Sequence, residues 1–359
     1  MKVVGIICGG RSAEHEVSLQ SAKNILKALP TDKYQAVLLG IDKAGNWRLY
    51  NSEDSFLYAD NPKKIALSDN GINIALSQGG EIIDLHTGKK LNKLDVAFPV
   101  VHGTDGEDGT LQGLLKLLDI PFVGADVLSS AVCMDKDFAK KIMQTNGLPV
   151  APYTVIFSPE QALQDYEKYV KDFSLPFFVK PSAQGSSIGI HKVKDLHDFQ
   201  IAIKNAFQFD DKVLIEKYIQ GREIECAVLG NKKPRASLPG EIIPQQEFYS
   251  YEAKYLDDQG AILVAPAQLE TKQINDIQDL AIKTFLALDC VGMARVDFFV
   301  TAKEIFINEI NTIPGFTKIS MYPRLWQVSG LSYNELIDEL IKLAIENYKE
   351  QKKLKTSYV

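Results

Sequence analysis

The chain is poor in the residues that build metal knuckles and disulfide frameworks, with four cysteines and five histidines in 359 residues. Cys8, Cys133, Cys226 and Cys290 lie scattered, with no CxxC pair and no histidine at zinc-finger spacing. That pattern excludes a zinc finger and a disulfide-stapled secreted module, and it fits a reducing, cytoplasmic setting. Long apolar runs are missing too: none reaches the ~18 to 20 residues that a membrane span needs. The apolar stretch Val3 to Cys8 is cut at once by Gly9-Gly10-Arg11, so it is too short for a signal-peptide core and reads as a first strand. Excess positive charge is absent as well. The formal net charge is −6, which argues against nucleic acid as a partner, because affinity for a phosphate backbone comes from surplus Lys and Arg. The lysine-rich stretch from Lys349 to Lys355 reads as a solvated tail rather than a polyanion site.

What is present is the balance of a soluble globular protein, 45% hydrophobic and 24% charged. The length suits two or three domains of roughly 100 to 150 residues. Strand-like Val3 to Cys8, helix-like Glu14 to Leu29 and strand-like Ala36 to Ile41 form a βαβ opening. With the strand Asp95 to Val101 and the helix Gly109 to Leu118, residues 1–125 read as an α/β, doubly wound, Rossmann-like domain. The polar stretch 51–93 reads as an insertion or hairpin on it.

A second unit, 126–215, carries a helix through Met134 to Thr145, the strand Thr154 to Phe157, a helix from Pro159 to Lys171, and the strand Pro176 to Lys180. Ser182 to Gly189 then leads into Ile190 to Val193, giving strand, flexible loop and strand. The third unit, 216–359, has strands at Glu223 to Leu229, Gly292 to Phe299 and Glu304 to Asn308, and helices at Gln273 to Leu286 and Tyr333 to Glu350.

Two segments raise the question of phosphate. Gly5 to Ser12 nearly matches a Walker A loop, but Gly5 falls inside the apolar strand and Arg11 stands where the slender lysine is required. A tight strand-to-helix turn is the better reading, and such a turn with open backbone N–H groups would hold a small anion. SAQGSSIG at 182–189 is the stronger candidate, because a loop of small residues lets several N–H groups close over a polyphosphate. On its own such a loop is more often a plain hairpin.

Arg295 and Asp297 alternate on one strand, and Glu309 and Asn311 close the next. If the strands are neighbours, two carboxylates and an amide converge beside a guanidinium, an oxygen set suited to Mg²⁺. A cross-strand ion pair on a solvated sheet face is the alternative.

Seven motifs in register decide among these readings: GGRSAEHEVS at 9–18, HGTDGEDGT at 102–110, MDK at 134–136, KPSAQGSS at 180–187, EAKY at 252–255, ARVD at 294–297 and NEINTIPG at 308–315. In order and content the chain resembles the D-alanine:D-alanine ligases from end to end. The resemblance implies an ATP-grasp fold and the ATP-dependent ligation of two D-alanine molecules through an acyl phosphate, for peptidoglycan precursors of bacteria. It implies that Lys136, Lys180 and Lys254 hold the ATP phosphates, and that Glu216, Lys217, Ile219 and Glu223 contact adenine and ribose. Asp297, Glu309 and Asn311 match the ligands of two Mg²⁺ ions, for which Mn²⁺ is an alternative, and Arg295 with the N–H of Gly315 matches the oxyanion site. Glu14 and His102 match contacts to the first D-alanine, Ser320 and Met321 the seat of the second, and Ser186 with Tyr255 the bonded set that ties the lids over Glu14. Relatives that make D-alanyl-D-lactate tend to differ at the position of Tyr255, so tyrosine there favours D-alanine. The family also implies a homodimer. A ligase using D-serine or D-lactate as second substrate, and a non-catalytic ATP sensor on the same scaffold, are the rival readings; the intact set around Asp297 argues against the sensor.

Overall fold

A computed structural model of the chain describes residues 1–50, 55–245, 261–355 and 357. Lys254 and Tyr255 fall outside the described residues.

The first sheet grows from the opening βαβ. Lys2–Gly9 (β1) is buried over its last six residues, as expected of a parallel strand covered on both faces. His15–Ala28 (α1) crosses to Tyr34–Ile41 (β2), and both β2 and Val96–Pro99 lie parallel to β1 on either side. Their C-terminal ends flank a switch in strand order, the place where open α/β sheets bind ligands. Gly9 must be glycine: at φ +89° any side chain would start 2.1 Å from the carbonyl oxygen of Ile41. The glycine pair therefore serves the turn into α1, as the strand-embedded Gly5 already indicated.

Of the stretch read as an insertion or hairpin, residues 72–93 join the first sheet as antiparallel hairpins, while Phe56–Leu57 and Ala66–Leu67 pair apart from it. Trp47–Tyr50 turns back against β2, and Ile72–Ser77, Glu81–Asp84 and Lys90–Lys93 continue the ladder antiparallel, making seven strands. Its outer strand is exposed at every residue and carries two lysines, which explains why apolar alternation fails to announce it and how the edge is guarded.

The second sheet has four antiparallel strands in the order Tyr153–Ile156, Val213–Lys217, Phe177–Pro181, His191–Val193. Residues 177–181 and 191–193 pair as a hairpin whose connection is the glycine-rich loop. Val213–Lys217, which no sequence pattern marks, is a central strand of this sheet. The expected boundary between 215 and 216 falls inside it.

Two expected helices are each broken. The one through 134–145 is interrupted at Asp135, whose carboxylate caps the N–H groups of Asp137 and Phe138 and so makes Lys136 the first residue of Lys136–Thr145. The one from 159 is interrupted at Asp165, between Pro159–Gln164 and Tyr166–Phe173.

The third sheet centres on Arg222–Gly230, flanked by Gly240–Pro244 and Gly292–Val300, with Ile305–Asn311 beyond the latter. Its back packs on Thr271–Ala287. The first and third units share a core: Phe316 packs edge-on to Phe98 and against Tyr322. Tyr333–Gln351 locks to β2, where Tyr34 and Lys33 reach Asp338 at 2.9 Å each. Burial alone would raise the Asp338 carboxyl, but hydrogen bonds from Lys342, Lys33 and Tyr34 hold it down at about 2.

Candidate active site

A cleft of about 390 Å³ opens between the second and third sheets, within the size range of small-molecule sites. Lys136, Lys180, Ile219 and Glu223 line it together with Ser186 and Glu309. The glycine-rich loop forms one wall. Ser186 (φ 51°) and Ser187 (φ 62°) both adopt left-handed backbone there, a conformation costing non-glycine residues roughly 1–2 kcal/mol each and retained mainly where function demands it. Lys136 donates to the carbonyl of Gln184 and lies 3.8 Å from a carboxylate oxygen of Glu309. One lysine thus joins the loop to the inner end of the cleft.

Glu216 and Lys217 do not line this cleft. Lys217 is exposed, and Glu216 lies sealed at 1% exposure, ion-paired to Lys180 and, at 2.7 Å, to Lys140. Burial would raise the Glu216 carboxyl, yet the two ammonium groups pull it to about 2. Burial also lowers Lys140, the repulsion of Lys180 adding to it and Glu216 opposing. Lys140 was not anticipated, although its place one turn after Lys136 puts both on one helix face.

A smaller cavity, of about 80 Å³, lies where the three units meet; it is too small for a nucleotide. Glu14, His102, Arg295, Asn311, Gly315, Ser320 and Met321 line it. Glu14 stands at the N-terminus of α1 and accepts a hydrogen bond from the Ser186 hydroxyl, which ties the loop to the first sheet. Gly103 permits the approach: a side chain on it would start 3.0 Å from Glu14 Oε2, with φ already at +74°.

His102 is buried, with Nε2 3.1 Å from Ser21 Oγ and Nδ1 3.2 Å from the carbonyl of Ile313. Burial alone would lower its pKa, but Glu107, Glu14 and that carbonyl outweigh it and leave it raised. Across the cavity, Ser320 occupies the N-cap position of the helix Met321–Val328, its hydroxyl oxygen accepting from the Thr317 N–H rather than from the helix. The N-terminal dipole and N–H groups of that helix favour a carboxylate beside Met321.

The oxygen cluster forms as the alternation foresaw. The strands 292–300 and 305–311 are antiparallel neighbours, with Arg295 opposite Asn311 and Asp297 opposite Glu309. Arg295 forks Asp297 through two 2.7 Å hydrogen bonds, and Asn311 Nδ2 donates to the same carboxylate at 3.0 Å. Asp297 lines neither cavity, because this fork holds it back. Two carboxylates and an amide oxygen, without sulfur or imidazole, suit a hard divalent cation. Such an ion would draw Asp297 out of the fork. Glu309 faces both cavities, as do Gly185 and Ser186. Glu107 and Glu225 also line the smaller cavity and were not singled out from sequence. Glu225 alternates with Glu223 on one strand, a signal that was legible.

A nucleotide-sized cleft under a glycine-rich hairpin, set between two antiparallel sheets with carboxylates at its inner end, is the arrangement of an ATP-grasp enzyme. Sequence families described as D-ala D-ala ligase N-terminus and D-ala D-ala ligase C-terminus match residues 3–125 and 142–342. The chain is 54% identical to the D-alanine–D-alanine ligase of Oceanobacillus iheyensis over 99% of its own length and 98% of that protein's. Among solved structures it resembles the D-alanine-D-alanine ligase of Coxiella burnetii (TM-score 0.86, 41% identity, covering 98% of this chain and 96% of that one). It also resembles the VanG D-Ala:D-Ser ligase of Enterococcus faecalis (TM-score 0.84, 36% identity, covering 96% and 99%). The chain belongs to the D-alanine–D-alanine ligase family.

Proposed function

We propose that the protein joins two D-alanine molecules at the expense of ATP, making D-alanyl-D-alanine for peptidoglycan synthesis. The observation that carries this is the shared wall: Ser186 and Glu309 border both the nucleotide cleft and the amino-acid cavity, so a phosphoryl group can pass from one occupant to the other without leaving the site.

A carboxylate is a poor electrophile, and the first step remedies that. A carboxylate oxygen of the first D-alanine attacks the γ-phosphorus, the bond to the β-phosphate breaks, and ADP and a D-alanyl phosphate result. The amine of the second D-alanine then attacks the carbonyl, and inorganic phosphate leaves. Charge builds on phosphate oxygens first and on the carbonyl oxygen second, so catalysis rests on positioned cations and N–H donors.

In our reading Lys136 and Lys180 hold the ATP phosphates, as does Lys254, outside the described residues. Glu223 and Ile219 seat the nucleoside, and Glu216 and Lys217 contribute through the backbone of their strand end, the Glu216 side chain being taken up by Lys140 and Lys180. Glu14 pairs with the ammonium of the first D-alanine, with His102 beside it. The N–H of Met321 and the hydroxyl of Ser320 take the second carboxylate, while Arg295 and the Gly315 N–H hold the oxyanion. Asp297, Glu309 and Asn311 would hold two Mg²⁺ ions, or Mn²⁺, which neutralise charge on the phosphates. Ser186, bonded to Glu14, and Tyr255, outside the described residues, keep the lids shut against water, which would hydrolyse the acyl phosphate.

We further propose three units, 1–125, 126 to the segment 218–221, and the remainder; a homodimer, on family grounds; and a cytoplasmic location. No helix among the described residues is long and apolar enough to cross a membrane.

The test is phosphate release from ATP and Mg²⁺ with D-alanine alone, with L-alanine, and with D-alanine plus D-serine or D-lactate, products being identified by mass. Turnover with D-alanine alone, yielding the dipeptide, is expected. Turnover that requires a second, different acid reassigns the second substrate, and none in any mixture overturns the ligase reading.

A further inference from the structure

The third sheet carries a feature that the ligation scheme does not use. Strand register sets Glu225 opposite Asp297, and Asp297 opposite Glu309. Three carboxylates therefore form one row across three neighbouring strands, with directly opposed residues roughly 4.5–5.5 Å apart. The adjoining row is Ala227, Arg295 and Asn311, which sets one guanidinium beside Glu225 and Asp297, while Glu309 at the end of the row has Lys136 at 3.8 Å. Glu225 is 6% exposed and faces the amino-acid cavity. Its Oε2 lies 3.1 Å from Arg295 Nε, the same nitrogen that donates to Asp297 at 2.7 Å.

A buried carboxylate in such a row needs a positive partner, since its desolvation is costly unless it is paired. Among the described residues no three acidic, histidine or cysteine side chains are grouped to hold one ion, so in this arrangement a side-chain cation has to provide it. The guanidinium does. Resting on the proposed ligation, Asp297 must exchange its fork with Arg295 for a cation. Arg295 would then face the cavity beside newly arrived positive charge with its main counter-ion withdrawn.

We infer that Glu225 is a positioning residue, the standing counter-ion of Arg295. It holds the guanidinium at the amino-acid cavity in both arrangements and lets Asp297 turn to the cation without leaving Arg295 unpaired. Arg295 acts on the reacting oxygen; Glu225 acts through Arg295.

The test compares the full-length protein with its Glu225→Gln and Glu225→Asp variants. Glu225→Gln is expected to lower kcat about tenfold with KM for ATP within about twofold, since the lost interaction belongs to the transition state. In a second readout without turnover, Mn²⁺ is titrated into enzyme with ADP and followed by electron paramagnetic resonance. Affinity is expected to fall about fivefold in Glu225→Gln, because Arg295 then clings to Asp297. Glu225→Asp, which keeps the charge, is expected to recover most of the Mn²⁺ affinity. It also keeps the comparison readable if the glutamine variant folds poorly. If soluble Glu225→Gln leaves kcat and Mn²⁺ affinity both within twofold of wild type, if Glu225→Asp, its charge kept, loses Mn²⁺ affinity fivefold or more, or if kcat falls only in step with Tm while Mn²⁺ affinity holds, the inference is overturned. Failure of the wild type to form the dipeptide strikes the proposed function instead, and the Mn²⁺ titration still judges Glu225.

Discussion

Glu216 and Asp297 are both carboxylates held by cationic side chains, yet the protein treats them in opposite ways. Glu216 is sealed between Lys140 and Lys180 and held at about 2. Asp297 shares Arg295 with Glu225, and its opposite neighbour Glu309 opens to two cavities. Glu216 itself is closed off from the cleft, with Lys180 between them, so its two ion pairs fix the relation of Lys136–Thr145 to the floor of the cleft. The cluster around Asp297 is built with interchangeable partners, so a cation or an oxyanion can displace one contact while others hold. Equal charge chemistry serves shape in one place and reaction in the other, and access to the cavity makes the difference.

The largest effect expected of a substitution tests the sealed cluster. Glu216→Ala leaves Lys140 and Lys180 buried without their shared anion and should cost roughly 3–5 kcal/mol in denaturant unfolding. The pH dependence follows in sign. A carboxyl held down at about 2 against an ordinary 4.5 contributes stability that is full above pH 4.5 and is lost as pH falls through about 2. Acid unfolding of the variant should therefore be flatter between those limits. A variant as stable as wild type would erase the contrast between the two clusters.

Next comes the open cluster. Glu309→Gln should lower kcat on the order of 10²–10³-fold while Tm stays nearly constant, because its carboxylate faces cavities rather than a packed core. Unchanged Mg²⁺ dependence of turnover would remove Glu309 from the cation site.

The smallest effect is expected of Ser186→Ala, which loses the hydroxyl bond to Glu14 and should lower kcat about tenfold through a looser lid. Its sharper signature is a larger share of ATP hydrolysed without dipeptide formed, measured as the ratio of phosphate to product. A ratio equal to wild type would detach Ser186 from the lid.

Much of this was legible in the chain itself. The buried run Val3 to Cys8, the period of Glu14 to Leu29 and the alternation Arg295, Asp297 and Glu309, Asn311 are local patterns, because one face of each element must meet a core or a cavity. They determined the α/β class, the strand-turn-helix at Gly9 and the composition of the oxygen set, and the motif order carried the family. Within the stretch read as an insertion or hairpin no single strand between 72 and 93 could be placed, because an exposed sheet edge needs no apolar alternation, and Val213–Lys217 stayed hidden because a short apolar strand has no distinctive period.

Tertiary structure alone decided the rest. Glu216 lies sealed behind the cleft and Glu309 faces into it, although both are glutamates on strands. Lys140 and Lys180 close over the first, whereas the second borders both cavities. Glu14 meets Ser186 across 172 positions of chain, and Arg295 finds Glu225 only through the register of two strands. Such pairings depend on how separately folded faces dock, and burial and charge balance at those contacts are properties of the assembled molecule.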